Sequence, residues 1–502
     1  MAHHTDIEER DTDIEEGVQL PGSSGLKRAD PKIVHGITKK IHHLLPLPRE
    51  ACIFRVHDEL RNVKKKAYTP MLVSIGPYHH GNPKLRAMEE HKLRYLRSLL
   101  ERNNEENAER YLQLMETIVD RARGFYADPI SLKRDKFVEM MLLDACFTIE
   151  FLRKFEYEYL RDKDDPIFKS SWMQIQIFGD MMLLENQLPF FLLSELFKMT
   201  EIPNLQLTLL QFSLIPIFQM LPIELSSSSL NSILQMLPAE LSSISLNHPG
   251  KKSAHENKHF LDLLHNVYLP SFGEASSNKT SMSSNKNCIR LPYLTEFLDL
   301  LHDVCLRLFG KASSNKKDTR MPSLTELQEA GVSFKVDESD AVSLFDINFK
   351  RGHLKIPKFR VTDLTETFFR NIIAYEQHSS DVKPKYFTDY TFFMDKLIDT
   401  QKDVTTLRLR GIMDNWLGDD EEVARMFNKM GDGRIVDTST YYYSNVCQEL
   451  NDHCKKGWNE AKAKLRRNYF HNPWASISTA AAIFLILLTL IQTVATLVSL
   501  FV

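Results

Sequence analysis

The sequence predicts a mainly helical α+β fold, a multi-helix body with a few short β-strands, followed by one C-terminal transmembrane helix. Three observations predict it: apolar residues recur at helical spacing over most of the chain, short β-like runs occur between residues 332 and 356, and ionisable side chains are absent from residue 475 onward. A length of 502 residues is enough for a sizeable core. The formal net charge of −3 argues against a nucleic-acid-binding protein, which would normally carry a basic excess.

Residues 1–45 predict a disordered acidic tail. The motif Thr-Asp-Ile-Glu-Glu occurs twice, at Thr5–Glu9 and Thr12–Glu16, and no apolar run follows it. A secretory signal peptide needs a basic start and a hydrophobic core, so this segment is not one.

Residues 46–202 are predicted to form the N-terminal helical half of the body. Two short β-like runs come first, Ile53–Val56 and Met71–Ile75. A helix then begins with Asn82 as its cap and Pro83 in its first turn. Its apolar stripe is predicted to contain Leu85, Met88, Leu93 and Leu96. Three more helices are predicted at about Glu105–Gly124, Ser131–Phe155 and Trp172–Leu188, the last bending at Pro189.

Residues 203–325 predict a low-complexity, duplicated insertion. Gln219–Pro222 recurs as Gln235–Pro238, and Phe260–Lys279 returns as Phe297–Lys316. Two copies are fewer than the three or more that a solenoid needs, so tandem duplication inside a tolerant loop is the better interpretation.

Residues 326–470 are predicted to form the C-terminal half of the body, with a small β-element and further helices. The strands are expected at Val332–Val336, Leu344–Phe349 and His353–Ile356, with a turn containing Gly352. The helices are expected at Asp363–His378, Tyr386–Thr400, Asp419–Met430 and about Thr440–Phe470.

Residues 475–500 predict a single transmembrane helix at the C-terminus. About 20 residues at 1.5 Å each cover a hydrocarbon core of roughly 30 Å. A basic flank precedes the segment: Lys455, Lys456, Lys462, Lys464, Arg466 and Arg467. Because positive charge stays cytoplasmic, we expect a single-pass protein whose bulk faces the cytosol, on the plasma membrane or an endomembrane. The same cluster is a candidate for contact with anionic lipid.

A series of ordered motifs resembles the plant-specific family called "domain of unknown function 247". They include Cys52–Val56, Ala67–Pro70, Val73–Gly81, Met88–Lys92, Met141–Phe147, Leu183–Phe190, Ala330–Val332, Phe369–Gln377, Phe393–Asp395 and Asn472–Ala475. The resemblance covers about residues 52–502. One departure is His57, which stands where the family usually has proline.

The resemblance implies a plant protein with a membrane helix and no established enzymatic activity, and some grass members of the family are implicated in self-incompatibility. We therefore expect a non-enzymatic recognition, signalling or protein-interaction module without catalytic residues, metal ligands or cofactors. A self-incompatibility determinant is the narrower alternative. The expected partners are a membrane and other proteins, and not nucleic acid.

Seven motif residues are candidates for structural or interaction roles: His79, His80, Asp144, Glu185, Asn186, Arg370 and Glu376. Asp144 and Glu185 each follow Met-Met-Leu-Leu, and Glu150 and Asp180 also lie in apolar helical sequence. A carboxylate there must find a partner or become protonated.

Two interpretations of these acids stay open. In the first, each accepts hydrogen bonds and specifies helix register. In the second, Asp144 or Glu185 works with His79 or His80 in a membrane-bound hydrolase or transferase, since paired acids can act in proton transfer. Adjacent histidines without a third ligand at helical spacing do not make a zinc motif.

Overall fold

The fold is mainly helical with a few short strands, as the sequence predicts for the body. The structure is a computed structural model that describes residues 30–42, 50–202, 207–220, 257–268, 321–337, 343–457, 459, 477–478, 481–482 and 484–493. The α-helices are α1 Pro31–His42, α2 Asp58–Val63, α3 Arg86–Asn103, α4 Glu109–Arg123, α5 Arg134–Glu156, α6 Ser171–Met181, α7 Phe190–Met199, α8 Leu209–Met220, α9 Phe260–Tyr268, α10 Leu324–Glu329, α11 Thr365–His378, α12 Tyr386–Leu397, α13 Gln401–Leu409, α14 Asp420–Met430 and α15 Ser444–Lys455. The strands are β1 Ser333–Asp337, β2 Asn348–Lys350, β3 His353–Pro357, β4 Phe359–Val361 and β5 Met413–Asn415.

Helix α5 is the centre of the N-terminal half. It packs against α3, α4, α7 and α8, and its buried residues run almost without a break from Met140 to Lys154. Because neighbours cover it on several sides, its sequence is apolar all round, apart from acids and bases that pair with one another. The helix therefore behaves as a core element rather than as a surface helix with one buried stripe.

The C-terminal half combines α11, α12 and α14 with two small sheets. In the three-stranded sheet β3 is central, parallel to β1 and antiparallel to β2. The β2–β3 hairpin turns at Arg351 and Gly352, both with positive φ, as a two-residue type I′ turn requires. The second sheet pairs β4 with β5 in parallel, with Phe359 opposite Met413.

Several helix predictions are close, and the differences have local causes. Asn82 does cap the first turn, accepting from the Lys84 N–H at 3.1 Å. The stripe of α3 is shifted, however: Leu93 is 55% exposed, and Lys92 lies buried at the core position instead. The predicted helix ending at Leu188 is wrong in length, because α6 ends at Met181 and an irregular turn follows it.

Two predicted β-like runs form no ladder. Ile53 makes an isolated bridge with Tyr126, and Met71–Ile75 pairs with side chains rather than with another strand. The second, parallel β4–β5 sheet was not predicted, since strands of three residues are too short for an alternating pattern.

The predicted C-terminal transmembrane helix, residues 475–500, is wrong. In the described parts of the chain, none of the helices is both long enough and apolar enough to cross a membrane. Freedom from charge is not sufficient, because a span needs about 20 continuous helical residues. The cytosolic orientation was argued from the flank of this segment and stays a prediction.

Two regions that were not expected to contribute ordered helices contain them. Helix α1 lies inside the predicted tail, and the unit Met1–Pro48 is separate from the unit Arg49–Val502. Helices α8 and α9 lie inside the predicted insertion, where Leu214 and Leu261 are fully buried. The second copies of both duplicated segments lie outside the described residues.

Candidate functional site

The candidate residues converge on one irregular segment, residues 52–81, which we call the strap. It contains α2 and is held against a turn, residues 182–189, between α6 and α7. Buried Asp180 accepts three N–H bonds of 2.7–2.9 Å from backbone residues 71–73. Burial raises the pKa of Asp180 to about 6, against the opposing effect of these three bonds.

Asn186, a predicted candidate, links the strap to the turn. Its side-chain oxygen accepts from the Ile75 N–H at 2.7 Å, and its amide donates to the Val73 carbonyl at 3.0 Å. It also donates to the Asp180 carbonyl at 2.9 Å. Side chains thus satisfy the strap backbone where a partner strand would otherwise be needed.

Asp144 lies on the face of α5 that meets the strap. One carboxylate oxygen accepts from the Gly76 N–H at 2.8 Å, and the other is 2.5 Å from the Lys92 ammonium. Lys92 is completely buried and also donates to the Ser74 carbonyl and to Glu89, each at 2.6 Å. Burial lowers the pKa of Lys92, but the Asp144 and Glu89 charges outweigh this effect and raise it, so the lysine is charged.

Gly76 marks the closest approach of the strap to the turn. Its φ is +77°, and a Cβ at this position would lie 2.5 Å from the Gln187 carbonyl oxygen. The same carbonyl accepts from the Tyr126 hydroxyl at 2.9 Å. Glycine is therefore required both by the backbone angle and by the space.

Glu185 is buried beneath the start of α2. It accepts from the Val56 N–H at 2.6 Å, pairs with Arg61, and lies 3.3 Å from Nε2 of His79. Burial acts to raise the pKa of Glu185, but the His79 and Val56 hydrogen bonds and the Arg61 charge outweigh it and hold the pKa below its ordinary value. The structure thus brings two of the predicted candidates, His79 and Glu185, together.

His80 does not join that pair. Its Nδ1 atom is buried and has no hydrogen-bond partner among the described residues. Throughout the described residues, no group of three or more His, Cys, Asp or Glu side chains is placed to hold a metal ion. Adjacent side chains in a turn point in different directions, which is why only one histidine reaches the carboxylate.

His57 stacks on His378 at the end of α11. The ring centroids are 4.5 Å apart with an angle of 20° between the planes. The His57 N–H also points to Nε2 of His378 at 3.3 Å, a hydrogen bond that proline could not donate. His57 therefore provides a contact between the strap and α11.

Glu376 caps α12 from the neighbouring helix α11. Its two oxygens accept from the Phe387 and Thr388 N–H groups at 3.0 and 2.8 Å, and from the Thr388 hydroxyl at 2.7 Å. His265 of α9 lies 3.0 Å from the same carboxylate. A negative charge at a helix N-terminus is favourable, which explains an acid inside this apolar helix.

Arg370 is buried on the same helix as Glu376 and faces a different way. Its Nε donates to Glu366 at 2.9 Å, and its terminal nitrogen donates to the Lys429 carbonyl at 3.1 Å, near the end of α14. Next to it, Asn371 accepts from the Leu184 N–H and donates to the Ala67 carbonyl. Asn371 thereby joins the turn, the strap and α11.

Glu150 forms a separate buried cluster one helical turn and more from Asp144. Arg102 donates to both of its oxygens, at 2.6 and 2.7 Å, and Arg153 donates at 2.9 Å. Burial acts to raise the pKa of Glu150, but the two guanidinium groups lower it below its ordinary value.

Of the six residues in the predicted basic cluster, Lys455 and Lys456 are described and are exposed. They lie at the end of α15, where positive charge complements the helix dipole. Lys462, Lys464, Arg466 and Arg467 lie outside the described residues.

Sequence reasoning missed an exposed tryptophan beside the β4–β5 sheet. The Trp416 side chain is 64% exposed, yet its Nε1 donates to Asp414 at 2.8 Å and the Arg360 guanidinium lies 4.4 Å from its ring centroid. Arg360 also donates to Asp414 at 3.2 Å, and these two residues are opposite one another in the sheet. We call these three residues the tryptophan site.

The tryptophan site is fixed by backbone bonds as well as by side chains. The Trp416 N–H donates to the Val361 carbonyl of β4 at 2.9 Å. Burial acts to raise the pKa of Asp414, but its bonds from Trp416 and Arg360 keep the pKa below the ordinary value. No local pattern identifies the site, because Arg360 and Trp416 are 56 positions apart in the sequence.

The chain belongs to the plant family of domain of unknown function 247, described as a plant protein of unknown function, whose model matches residues 53–488. The resemblance inferred from the motifs is therefore confirmed. A UPF0481 protein of Arabidopsis thaliana is 29% identical over 453 residues, which cover 89% of this chain and 86% of that protein. A putative UPF0481 protein of the same plant is 24% identical over 499 residues, covering 88% of this chain and 89% of its own length. No solved structure shows a significant match.

Proposed function

We propose that this plant protein is a non-enzymatic recognition module that binds another protein through the tryptophan site. The observation that carries the proposal is Trp416, a large aromatic side chain that is mostly exposed and yet fixed by Asp414 and Arg360. Tryptophan and arginine are the residue types most often found at the energetic centre of protein interfaces. A fixed side chain loses little conformational entropy on binding, which favours affinity.

A second exposed tryptophan provides an internal comparison. Trp172 on α6 is 55% exposed, close to the value for Trp416. Its ring has no cation stacked on it and its indole nitrogen has no acceptor among the contacts of the described residues. The two residues therefore differ in preorganisation far more than in exposure.

The environment of Glu185 supports recognition over hydrolysis. A hydrolytic acid or base must exchange a proton during turnover. Glu185 is instead held ionised by Arg61 and by the Val56 N–H, so its contact with His79 serves to position the strap. Asp144 is in contact with Lys92 and accepts from the Gly76 N–H, although burial raises its pKa.

The test compares three forms of the full chain as bait in plant extracts: wild type, Trp416→Ala and Trp172→Ala. Loss of a hot-spot residue costs about 2 kcal/mol or more, which is roughly a 30-fold loss in affinity. We expect proteins enriched by the wild type, and then confirmed to bind directly as purified proteins, to be lost with Trp416→Ala and kept with Trp172→Ala. Melting temperatures of the three baits check that all are folded.

Equal recovery of the same directly binding proteins by both variants contradicts the proposed site. Hydrolysis of a broad panel of ester, peptide or glycoside substrates that disappears in Glu185→Gln, with the fold intact, would instead support the enzymatic alternative.

A further inference from the structure

Helix α1 carries an apolar stripe of exposed side chains. None of its residues is buried. Four large apolar side chains lie within an arc of roughly 100° on a helical projection: Ile33, Val34, Ile37 and Ile41 are 59, 49, 52 and 58% exposed. A helix of this length is marginal in water by itself, so burial of the stripe is needed to stabilise it.

The charged side chains of the helix are all lysines. Lys32 and Lys39 lie opposite the stripe, and Lys40 lies at its border. No acidic residue occurs within Pro31–His42. The one acid beside it, Asp30, accepts from the Lys32 N–H at 2.9 Å and so caps the N-terminus.

We propose that α1 lies in the plane of an anionic lipid surface, with its isoleucine stripe among the acyl chains and its lysines at the headgroups. An amphipathic helix whose charged residues are all lysines is complementary to such a surface. A lysine at the border of the stripe, like Lys40, can keep its ammonium in the headgroup layer while its methylene groups contact acyl chains. A protein groove would cover the stripe but would leave the basic face without a partner.

The inference is independent of the tryptophan site, which lies in the other unit of the chain. It also differs from the C-terminal basic cluster, whose six residues lie between positions 455 and 467. The two segments are therefore separable by substitution.

The test is co-flotation of the full-length chain with vesicles of phosphatidylcholine alone or of phosphatidylcholine with one quarter phosphatidylserine. We expect preferential binding to the anionic vesicles. The variant Ile33→Ser/Ile37→Ser/Ile41→Ser should reduce the partition coefficient at least 10-fold. The variant Lys32→Gln/Lys39→Gln/Lys40→Gln should reduce it by roughly 100-fold, at about fivefold for each charge.

Two matched controls use exposed residues outside α1. Ile435→Ser and Lys136→Gln change an exposed isoleucine and an exposed lysine, and we expect neither to alter the partition coefficient. The proposal is overturned if the wild type floats with neither vesicle, or if the α1 variants bind anionic vesicles as well as the wild type does. It is also overturned if the serine variant lowers the melting temperature of the body, because the stripe would then be covered by the chain itself.

Discussion

The Lys92–Asp144 pair offers the sharpest test of how the strap is held. Lys92 has no exposed surface, and its ammonium contacts Asp144 at 2.5 Å and Ser74 and Glu89 at 2.6 Å each. The substitution Lys92→Met keeps the shape and the apolar stem of the side chain while it removes the charge. Asp144 is then left buried, with the Gly76 N–H as its remaining partner.

Removing one partner of a buried ion pair costs about 3–5 kcal/mol, because the remaining charge stays desolvated without compensation. We expect Lys92→Met to lower the free energy of unfolding by this amount, measured by urea denaturation and followed by circular dichroism. The matched control is Lys136→Met, whose side chain is 67% exposed and pairs with Glu139 on the same helix. We expect this control to leave the melting temperature unchanged, since exposed pairs contribute little.

A second substitution separates loss of charge balance from loss of packing. In Lys92→Met/Asp144→Asn neither position carries a buried charge, so the double variant should be more stable than Lys92→Met alone. In the single variant, loss of the ammonium raises the pKa of Asp144, and a raised pKa destabilises the folded state as pH increases. The loss in free energy of unfolding caused by Lys92→Met should therefore be larger at pH 8 than at pH 5. A deficit no greater than that of Lys136→Met, or no recovery in the double variant, would refute this account of the strap.

Two further predictions concern the strap and α12. Gly76→Ala should cost about 1–3 kcal/mol from its φ of +77° alone, and more from the 2.5 Å approach to a carbonyl oxygen. The control is Gly81→Ala, because Gly81 has a φ of +80° but open space around it. A smaller decrease in melting temperature for Gly81→Ala than for Gly76→Ala would isolate the effect of the close approach. Equal decreases would contradict that effect. Burial raises the pKa of Asp389 to about 6, above its unfolded value of 3.8. The folded state therefore favours the protonated carboxyl, and the stability that this contributes is complete at low pH and is lost as pH rises through about 6. When the pH is lowered from 7 to 5, the melting temperature of the wild type should therefore rise relative to that of Asp389→Asn. Parallel pH profiles of the two melting temperatures would contradict a raised pKa at Asp389.

Much of the helical body could be predicted because helix signals are local. The Asn82 cap, the Pro83 start and the type I′ turn at Gly352 each depend on a few consecutive residues. Lys92 was missed although it carried a signal, since it follows buried Met88 by four positions on the same face of α3. A charged residue at a core position of a helix indicates a buried ion pair, and Lys92, not Leu93, occupies that position.

The partners of the buried acids could not be predicted in this way. Asp180 binds backbone groups 107 residues earlier in the chain, and Asn371 binds a carbonyl 304 residues away. No periodic pattern encodes which backbone segment meets a given carboxylate. The tryptophan site depends in the same way on β4 and β5 meeting across more than 50 residues.

The sequence by itself determined the family, most helix positions, the hairpin turn and the need for partners around acids in apolar helices. These follow from local backbone preferences, ordered motifs and the cost of burying charge. Only the tertiary structure decided that the acids hold the strap and that Trp416 is exposed and fixed. Contacts between distant segments are properties of the folded chain, and composition constrains them only weakly.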